Sequence, residues 1–164
     1  MNTEATRRLV IRDARHPDLQ AIVEFNRCLA LETEAKSLAT AVLQKGVESA
    51  LADPGRIRYW IAELGEPPRT VGQAAVTREW SDWRNGWIWW LQSVYVDPSV
   101  RRRGIFRELY RQIRAEAQAD HRVIGIRLYV EDANHRAQQT YQSLGLKPGG
   151  YSVYQELWSA RFGT

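Results

Sequence analysis

A basic turn that contains glycine is the part of this sequence best suited to chemistry. The apolar run that ends at Val96 stops at Asp97-Pro98, and Arg101-Arg102-Arg103-Gly104 then leads into a helix-like segment. Proline cannot extend the hydrogen-bond ladder of a strand, and glycine lets the main chain approach a ligand closely. The first amides of a helix lack intrahelical partners and carry partial positive charge, so anions bind there. The turn therefore predicts a backbone cradle for a pyrophosphate group.

Length and composition predict one folded domain over residues 1–164. The chain has 44% apolar residues and seven tryptophans, which is typical of a packed globular protein. No apolar run reaches the roughly 18 residues of a membrane-spanning helix, and residues 1–8 lack the apolar core of a secretory signal. The single cysteine, Cys28, excludes an internal disulfide framework. We therefore expect a cytoplasmic protein with no membrane partner.

The charge distribution argues against a nucleic-acid partner. The net charge is +4, and of 23 basic residues only Lys36, Lys45 and Lys147 are lysine. Arginine matches phosphate geometry well, so a nucleic-acid binder has to be considered. Apart from the triplet at 101–103, however, the arginines are scattered among 19 acidic residues. We therefore expect no nucleic-acid partner, and the triplet alone is also consistent with a solvated loop.

Hydrophobic periodicity predicts four strands and two helices before the turn. Residues 7–12 alternate as a strand, and apolar residues recur at helical spacing after His16-Pro17-Asp18. A second helix is predicted over 40–52, where Asp53-Pro54-Gly55 ends it. The remaining predictions are a hairpin of strands at 57–63 and 70–77, a loop at 80–86 and an apolar strand at 87–96.

Two further helices and two further strands are predicted after the turn. Ile105, Leu109 and Ile113 give the third helix an apolar face, and Gly145 ends a fourth helix over 134–144. Strands are predicted at 123–130 and 151–157. The resulting order, β-α-α-β-β-β-α-β-α-β, predicts an α/β three-layer fold in which a mixed sheet of about six strands is flanked by four helices.

Three features occur in a fixed order in the second half of the chain. The first is Arg101-Arg102-Arg103-Gly104-Ile105-Phe106, the second is the strand at 126–130, and the third runs from Asn134 through Ala137 and Tyr141 to Gly145-Leu146. Together they resemble the GNAT superfamily of N-acetyltransferases. Its signature reads Arg/Gln-x-x-Gly-x-Gly/Ala, then a strand, then Asn-x-x-Ala-x-x-x-Tyr-x-x-x-Gly-Phe. The resemblance covers residues 90–147.

The resemblance implies a GNAT-like fold that uses acetyl-CoA as cosubstrate. Backbone amides of the turn would hold the pyrophosphate, Val94 and Val96 would pair with the pantetheine arm, and an amide near Val96 would face the thioester oxygen. Asn134 would bind the pantetheine or cap its helix, and Tyr141 would point at the sulfur or lie in the core. The implied cofactor-binding residues are Val94, Tyr95, Val96, Arg101, Arg102, Arg103, Gly104, Ile105, Phe106, Asn134 and Tyr141.

The resemblance further implies direct acetyl transfer to a primary amine in a ternary complex. An amine with a pKa near 10.4 is only about one part in a thousand neutral near pH 7.4, so a proton acceptor is expected. Glu32 and then Glu79 are the candidate bases, with Tyr141 as the catalytic donor to the leaving thiolate. Glu32 is equally consistent with a surface charge that pairs with Lys36. The histidines show no metal-ligand spacing, so no metal is expected.

Acidic and aromatic residues predict a small cationic acceptor. Glu34 lies near the end of the first helix, and Asp82 lies between Trp80 and Trp83. Carboxylates beside indole rings suit an ammonium with an apolar body, and these four are the candidate substrate-binding residues. The tryptophans would also suit a loop anchor or a homodimer contact, and Glu34 a surface pair with Lys36.

Three functions remain open from the sequence. An N-acetyltransferase acting on a small-molecule amine is favoured, with a peptide or protein amine as a variant. The alternatives are a non-catalytic module that binds acyl-CoA and an arginine-rich nucleic-acid binder that uses the same turn. Turnover of amines distinguishes the first function from the other two.

Overall fold

The computed structural model describes residues 8–158, which divide into two compact units. The first unit ends at Leu128 and the second begins at Tyr129. Arg7, where the first predicted strand begins, lies outside the described residues, as does most of the segment in which a secretory signal was sought. A single domain over 1–164 stays a prediction.

Within the described residues, the first unit contains a five-stranded mixed sheet and three α-helices. The strands follow chain order across the sheet; β1 to β4 are antiparallel neighbours and β5 runs parallel to β4. The second unit contains helix α4 (His135–Ser143). The elements of the first unit are β1 (Leu9–Asp13), α1 (Leu19–Glu34), α2 (Thr40–Ala52), β2 (Arg58–Leu64), β3 (Arg69–Ser81), β4 (Gly86–Val96), α3 (Ile105–Ala119) and β5 (Val123–Leu128).

Helices cover both faces of the sheet, as predicted. Ile22 of α1 and Val47 of α2 belong to one buried cluster with Ile61 of β2. Successive strand residues point to opposite faces, so Trp60 faces the other side. There its indole N–H donates to the Glu116 carboxylate of α3 at 3.1 Å. The α/β three-layer architecture is therefore confirmed.

The first two helices begin where their sequences indicate. A 3₁₀ turn over His16–Asp18 precedes α1, and Ala35 ends that helix with a left-handed φ of 50°. The bounds of α2 are those predicted, 40–52. None of the helices within residues 8–158 is long and apolar enough to cross a membrane.

The hairpin of β3 and β4 is longer than predicted. Residues 80–86 were expected to form a loop, but β3 continues to Ser81 and β4 begins at Gly86. Trp80 and Trp87 face each other across the ladder, with ring centroids 5.0 Å apart. Cross-strand aromatic pairs stabilise a sheet, and this pair extends the strands into a segment rich in charge.

The predicted sixth strand is wrong. Residues 151–158 form neither strand nor helix and are exposed, and the sheet of the described residues has five strands. Gly150 has a left-handed φ of 74° immediately before this segment. Alternating apolar residues favour a strand only where a neighbouring ladder supplies hydrogen-bond partners, and the sequence pattern does not reveal whether one does.

A buried ion pair fixes the start of α1 against the sheet. Both guanidinium Nη atoms of Arg12, on β1, donate to the Asp18 carboxylate at 2.7 and 2.8 Å. The Arg15 amide also donates to Asp18 at 2.7 Å, and Arg12 reaches Glu63 of β2. Asp18 is only 7% exposed, so its charge depends on these partners. Burial acts to raise the pKa of Asp18, but the hydrogen bonds from Arg12 and Arg15 outweigh it and lower that pKa.

We predict that Asp18→Asn lowers the free energy of unfolding by about 2 kcal/mol at pH 7, because Arg12 loses its buried counter-ion. Asp13→Asn is the matched control: Asp13 pairs with Arg58 but its side chain is 58% exposed, and we expect less than about 1 kcal/mol. Urea unfolding measures both.

Acidification provides a second readout for Asp18. Because the pKa of Asp18 is lower in the folded state than in the unfolded state, its ionised form stabilises the fold at pH values above the unfolded pKa, which is near 4. This contribution disappears as the pH falls through the folded pKa. The difference between wild type and Asp18→Asn should therefore shrink below about pH 4. Equal stabilities at pH 7 would contradict a stabilising role for the pair.

Candidate active site

A bulge divides β4 and leaves part of its backbone edge unpaired. The register with β3 shifts so that Ala74 alone faces Ser93 and Val94. Ser93 adopts a left-handed φ of 52° at this point. The parallel ladder with β5 ends at Leu91, just before the bulge. Within the described sheet, residues 92–96 therefore pair with β3 alone, and no strand pairs with their other edge.

The turn after β4 presents backbone amides close to that edge. Asp97 accepts a hydrogen bond from a backbone amide of the 3₁₀ turn Pro98–Val100 at 2.8 Å. Arg102 and Gly104 then have left-handed φ values of 64° and 79°. No acceptor for the amides of Arg102, Arg103 and Gly104 is found among residues 8–158.

The first residues of α3 anchor the turn without covering it. Ile105 is buried, whereas Gly104 is exposed. The Phe106 ring packs beside Tyr110, one turn along the same helix, with centroids 6.3 Å apart. A Cβ added at Gly104 would meet nothing within 4 Å, so the space above the turn is open.

Glu32, Tyr95 and Arg101 join the end of α1 to β4 and to the turn. The Tyr95 hydroxyl donates to Oε1 of Glu32 and Nη2 of Arg101 donates to Oε2, each at 2.7 Å. Nε of Arg101 donates to the Val96 carbonyl at 2.8 Å, and its guanidinium lies 5.3 Å from the centre of the Tyr95 ring. The pairing of Glu32 is therefore with Arg101.

These contacts keep Glu32 ionised. Desolvation acts to raise the pKa of Glu32, but the hydrogen bonds from Tyr95 and Arg101 outweigh it and lower that pKa. Desolvation and the bond to Glu32 raise the pKa of Tyr95, so its phenol stays a donor at neutral pH. Since the Glu32 side chain is 40% exposed, the pair contributes little to folding, but it fixes the carboxylate in position.

Glu79 lies farther along the hairpin, with its own partners. Its Oε2 accepts from the indole N–H of Trp90 at 2.6 Å, and its Oε1 accepts from Arg127 of β5 at 3.1 Å. The Arg127 guanidinium lies 5.8 Å from the Trp90 ring centre. Glu32 and Glu79, the two candidate bases, therefore have different partners: Glu32 contacts the end of β4 and the turn after it, whereas Glu79 contacts the middle of β4 and β5.

The four candidate substrate-binding residues lie on two separate elements. Glu34 ends α1 and forms an ion pair with Lys36. Trp80, Asp82 and Trp83 lie at the tip of the β3–β4 hairpin, where Trp83 is 85% exposed.

Two candidates belong to the second unit. The Asn134 carboxamide accepts from the Ala137 amide at 3.0 Å and so caps α4. Tyr141 lies on α4, and burial raises its pKa. A phenol with a raised pKa is a weaker acid, which disfavours complete proton transfer from it.

Sequence reasoning missed the polar residue at the bulge. Gln73 is fully buried in β3, and its amide nitrogen donates to the Asn26 side chain and to the Ser93 carbonyl. The signal was present: a glutamine interrupts the apolar run Val71-Gly72-Gln73-Ala74-Ala75-Val76. Buried polar side chains need partners, so such an interruption indicates a local backbone irregularity or a site.

The residues present fit acetyl-CoA. Available amides at 102–104 and the open space above Gly104 suit a pyrophosphate, and the unpaired edge at 92–96 suits an extended arm that carries amides. Among residues 8–158, no group of three or more His, Cys, Asp or Glu side chains is placed to hold a metal ion.

Comparison with known proteins agrees with this geometry. The acetyltransferase (GNAT) family model matches residues 19–146. Thialysine N-epsilon-acetyltransferase from Bos taurus is 29% identical over 144 residues, which cover 84% of this chain and 83% of that protein.

Solved structures of acetyltransferases share the fold. A possible acetyltransferase from Clostridium difficile 630 is 43% identical with a TM-score of 0.85, over 92% of this chain and 97% of that one. A predicted acetyltransferase with acetyl-CoA from Clostridium acetobutylicum is 18% identical with a TM-score of 0.72, over 96% of this chain and 100% of that one. The second likeness concerns the fold alone.

We predict that Gly104→Ala lowers the free energy of unfolding by about 1–2 kcal/mol, because a side chain disfavours the left-handed φ. Gly46→Ala is the matched control, since its added Cβ also meets nothing within 4 Å but Gly46 lies inside α2. There we expect a gain of about 0.5–1 kcal/mol. Urea unfolding measures both, and a stabilising Gly104→Ala would contradict the turn geometry.

Proposed function

This chain belongs to the acetyltransferase (GNAT) family, and we propose that it transfers an acetyl group directly from acetyl-CoA to a primary amine of a small molecule. Family membership makes it an acetyl-CoA-dependent N-acetyltransferase. The proposed binding of acetyl-CoA rests on one observation: the unpaired edge at 92–96 leads directly into the turn whose amides at 102–104 are available.

In the proposed complex the turn binds the pyrophosphate and β4 binds the arm. Amides between Arg101 and Phe106 face the phosphate oxygens, and the α3 N-terminus adds partial positive charge. The backbone of Val94 and Val96 pairs with the arm like an added strand, with Tyr95 between them fixed from the side of α1. Arg101 holds the Val96 carbonyl at 2.8 Å and so supports the strand end where the thioester lies.

A small amine acceptor is supported by the acids and aromatic rings of the exposed hairpin. Glu79 and Trp90 offer a carboxylate beside an indole, which suits an ammonium with an apolar body. The name of the Bos taurus relative gives the ε-nitrogen of thialysine as its acceptor. We assign recognition of the acceptor amine to four residues: Glu34, Trp80, Asp82 and Trp83.

Proton removal from the acceptor is assigned to Glu32. Its carboxylate accepts from Tyr95, which is adjacent to both Val94 and Val96 in the chain, and it stays ionised at neutral pH. Glu79 contacts Trp90 instead, which lies four positions before Val94 on β4, a separation of up to about 13 Å along the strand. Glu79 would therefore have to act through intervening water molecules, so it is the second candidate.

The family motif supports Tyr141 as the donor to the leaving sulfur. Because burial raises the pKa of Tyr141, we propose that its hydroxyl stabilises the thiolate by hydrogen bonding rather than by complete protonation. Asn134 acts through its cap on the start of α4.

We further propose that residues 1–164 work together as one domain and that the protein is cytoplasmic.

The function is tested with purified full-length protein in two assays. We expect calorimetry to detect acetyl-CoA binding and a thiol-release assay to detect turnover on a panel of small amines, with lysine-containing peptides as the comparison. Gly104→Val should raise the KM for acetyl-CoA by roughly tenfold or more, since a β-branched residue resists the left-handed φ. Gly46→Ala should leave that KM unchanged. Absence of acetyl-CoA binding, or turnover of peptides alone, would contradict the proposal.

The base is tested by the pH dependence of kcat/KM. Because the pKa of Glu32 is lowered from its ordinary value, the carboxylate is already ionised at pH 6, so between pH 6 and 9 the rate should rise with pH only as the acceptor amine loses its proton. We expect Glu32→Gln to lower kcat by about 10²–10⁴-fold without shifting this rise. Glu79→Gln is the comparison and should mainly raise the KM for the amine. A Glu32→Gln enzyme with the parental rate would eliminate Glu32 as the base.

A further inference from the structure

A side chain outside the assigned site controls the shape of β4. We propose that Gln73 of β3 is a positioning residue for acetyl transfer, which fixes the carbonyl of Ser93 and with it the bulge that separates residues 92–96 from β5. The effect on catalysis rests on the proposed function, whereas the effect on the bulge does not.

Both hydrogens of the Gln73 amide nitrogen are used. Nε2 donates to the Ser93 carbonyl at 3.1 Å and to Oδ1 of Asn26 at 2.7 Å. A backbone carbonyl can only accept, so the contact with Ser93 identifies the nitrogen end of the amide. Gln73 is 0% exposed, so water does not compete for these bonds.

The bonds continue through three elements. Nδ2 of Asn26, on α1, donates to the hydroxyl of Tyr59, on β2, at 3.2 Å. Tyr59 is 6% exposed. The carbonyl of Ser93 is therefore connected through Gln73 and Asn26 to α1 and β2.

The oxygen of the same amide lacks a partner. Oε1 of Gln73 is buried, and no donor to it is found among residues 8–158. A buried acceptor without a hydrogen bond destabilises the folded state. An apolar side chain of similar size would avoid this cost. The oxygen of Gln73 thus lowers the stability of the fold, while its nitrogen supplies the donor that the Ser93 carbonyl requires. Such a loss of stability is typical of functional positions.

The Ser93 carbonyl needs that donor because of the bulge. A bulged residue loses its place in the strand ladder, and its buried polar groups must find other partners. Without Gln73, we expect Ser93 to leave its left-handed conformation and β4 to slide toward a regular register with β3. Since a shift of one residue reverses which groups face each side, Val94 and Val96 would no longer present the same edge.

The test replaces Gln73 by an apolar side chain in the full-length protein. Gln73→Met keeps the length of the side chain and removes both donors; Gln73→Leu takes its place if that protein does not fold. Ile61→Val is the control, because Ile61 is also 0% exposed and lies directly opposite Gln73 in the β2–β3 register. Amide hydrogen exchange is followed at those amides of residues 93–96 that pair with β3, such as that of Tyr95 opposite Gln73, and steady-state kinetics are measured for each protein.

We expect these amides of Gln73→Met to exchange at least about tenfold faster, with the rest of the sheet unchanged. We expect kcat to fall by about 10–100-fold because the thioester is misplaced, whereas the KM for acetyl-CoA should rise by a smaller factor, because the amides of the turn still bind the pyrophosphate after the edge that binds the arm has shifted. Ile61→Val should keep the wild-type values for exchange at 93–96 and for kcat.

Unchanged exchange at 93–96 would overturn the proposal, and so would faster exchange with a wild-type kcat. If the wild-type protein acetylates no amine, the proposed function fails, but the exchange measurement still decides whether Gln73 fixes the bulge.

Discussion

The hydrogen bonding of β4 is the constraint on which the site depends. Up to Leu91 the strand has a partner on both sides, and beyond the bulge at Ser93 it has one. A strand can bind an extended ligand only through an edge that the sheet leaves unpaired. The parallel neighbour β5 ends at Leu128, where the ladder stops. The position of the site along β4 is therefore set by where the pairing with β5 ends and where the bulge at Ser93 begins.

Side chains then fix this edge from two points along α1. Asn26, in the middle of the helix, connects to Ser93 through Gln73, and Glu32, near its end, connects to Arg101 and Tyr95. The contacts of Gln73 are buried, whereas those of Glu32 are partly exposed. The buried contacts therefore contribute most to rigidity, whereas the exposed ones mainly orient charge. The same helix is held at its start by Arg12 and Asp18.

Much of the fold could be predicted from the sequence because its signals are local. The bounds of α2, the apolar face of α3 and the turn at Gly104 follow from periodicity and from glycine and proline chemistry. The end of the hairpin could not be predicted, since the Trp80–Trp87 contact joins residues on different strands. The prediction of a strand at 151–157 was wrong for the same reason: a strand needs a partner that its own sequence does not specify.

The contacts of the candidate site likewise divide into local ones, which could be predicted from the sequence, and long-range ones, which could not. The turn at 101–104 and the helix cap at Asn134 lie within short segments; the turn was predicted from its glycine and proline, and the cap was one of two interpretations of Asn134. The links from Glu32 to Arg101 and from Gln73 to Ser93 join residues 69 and 20 positions apart. Pairing over such separations depends on the register of the sheet, which a single sequence does not encode in a readable pattern.

The partners of Glu79 give the exposed surface an unusual electrostatic character. A cation that approaches this carboxylate meets Arg127 already in place, so binding is an exchange of one counter-ion for another. Coulombic attraction largely cancels in such an exchange, and little selectivity for charge alone remains. Discrimination among cations would then come from the fit of their hydrocarbon portion against the Trp90 ring, and it would respond only weakly to ionic strength.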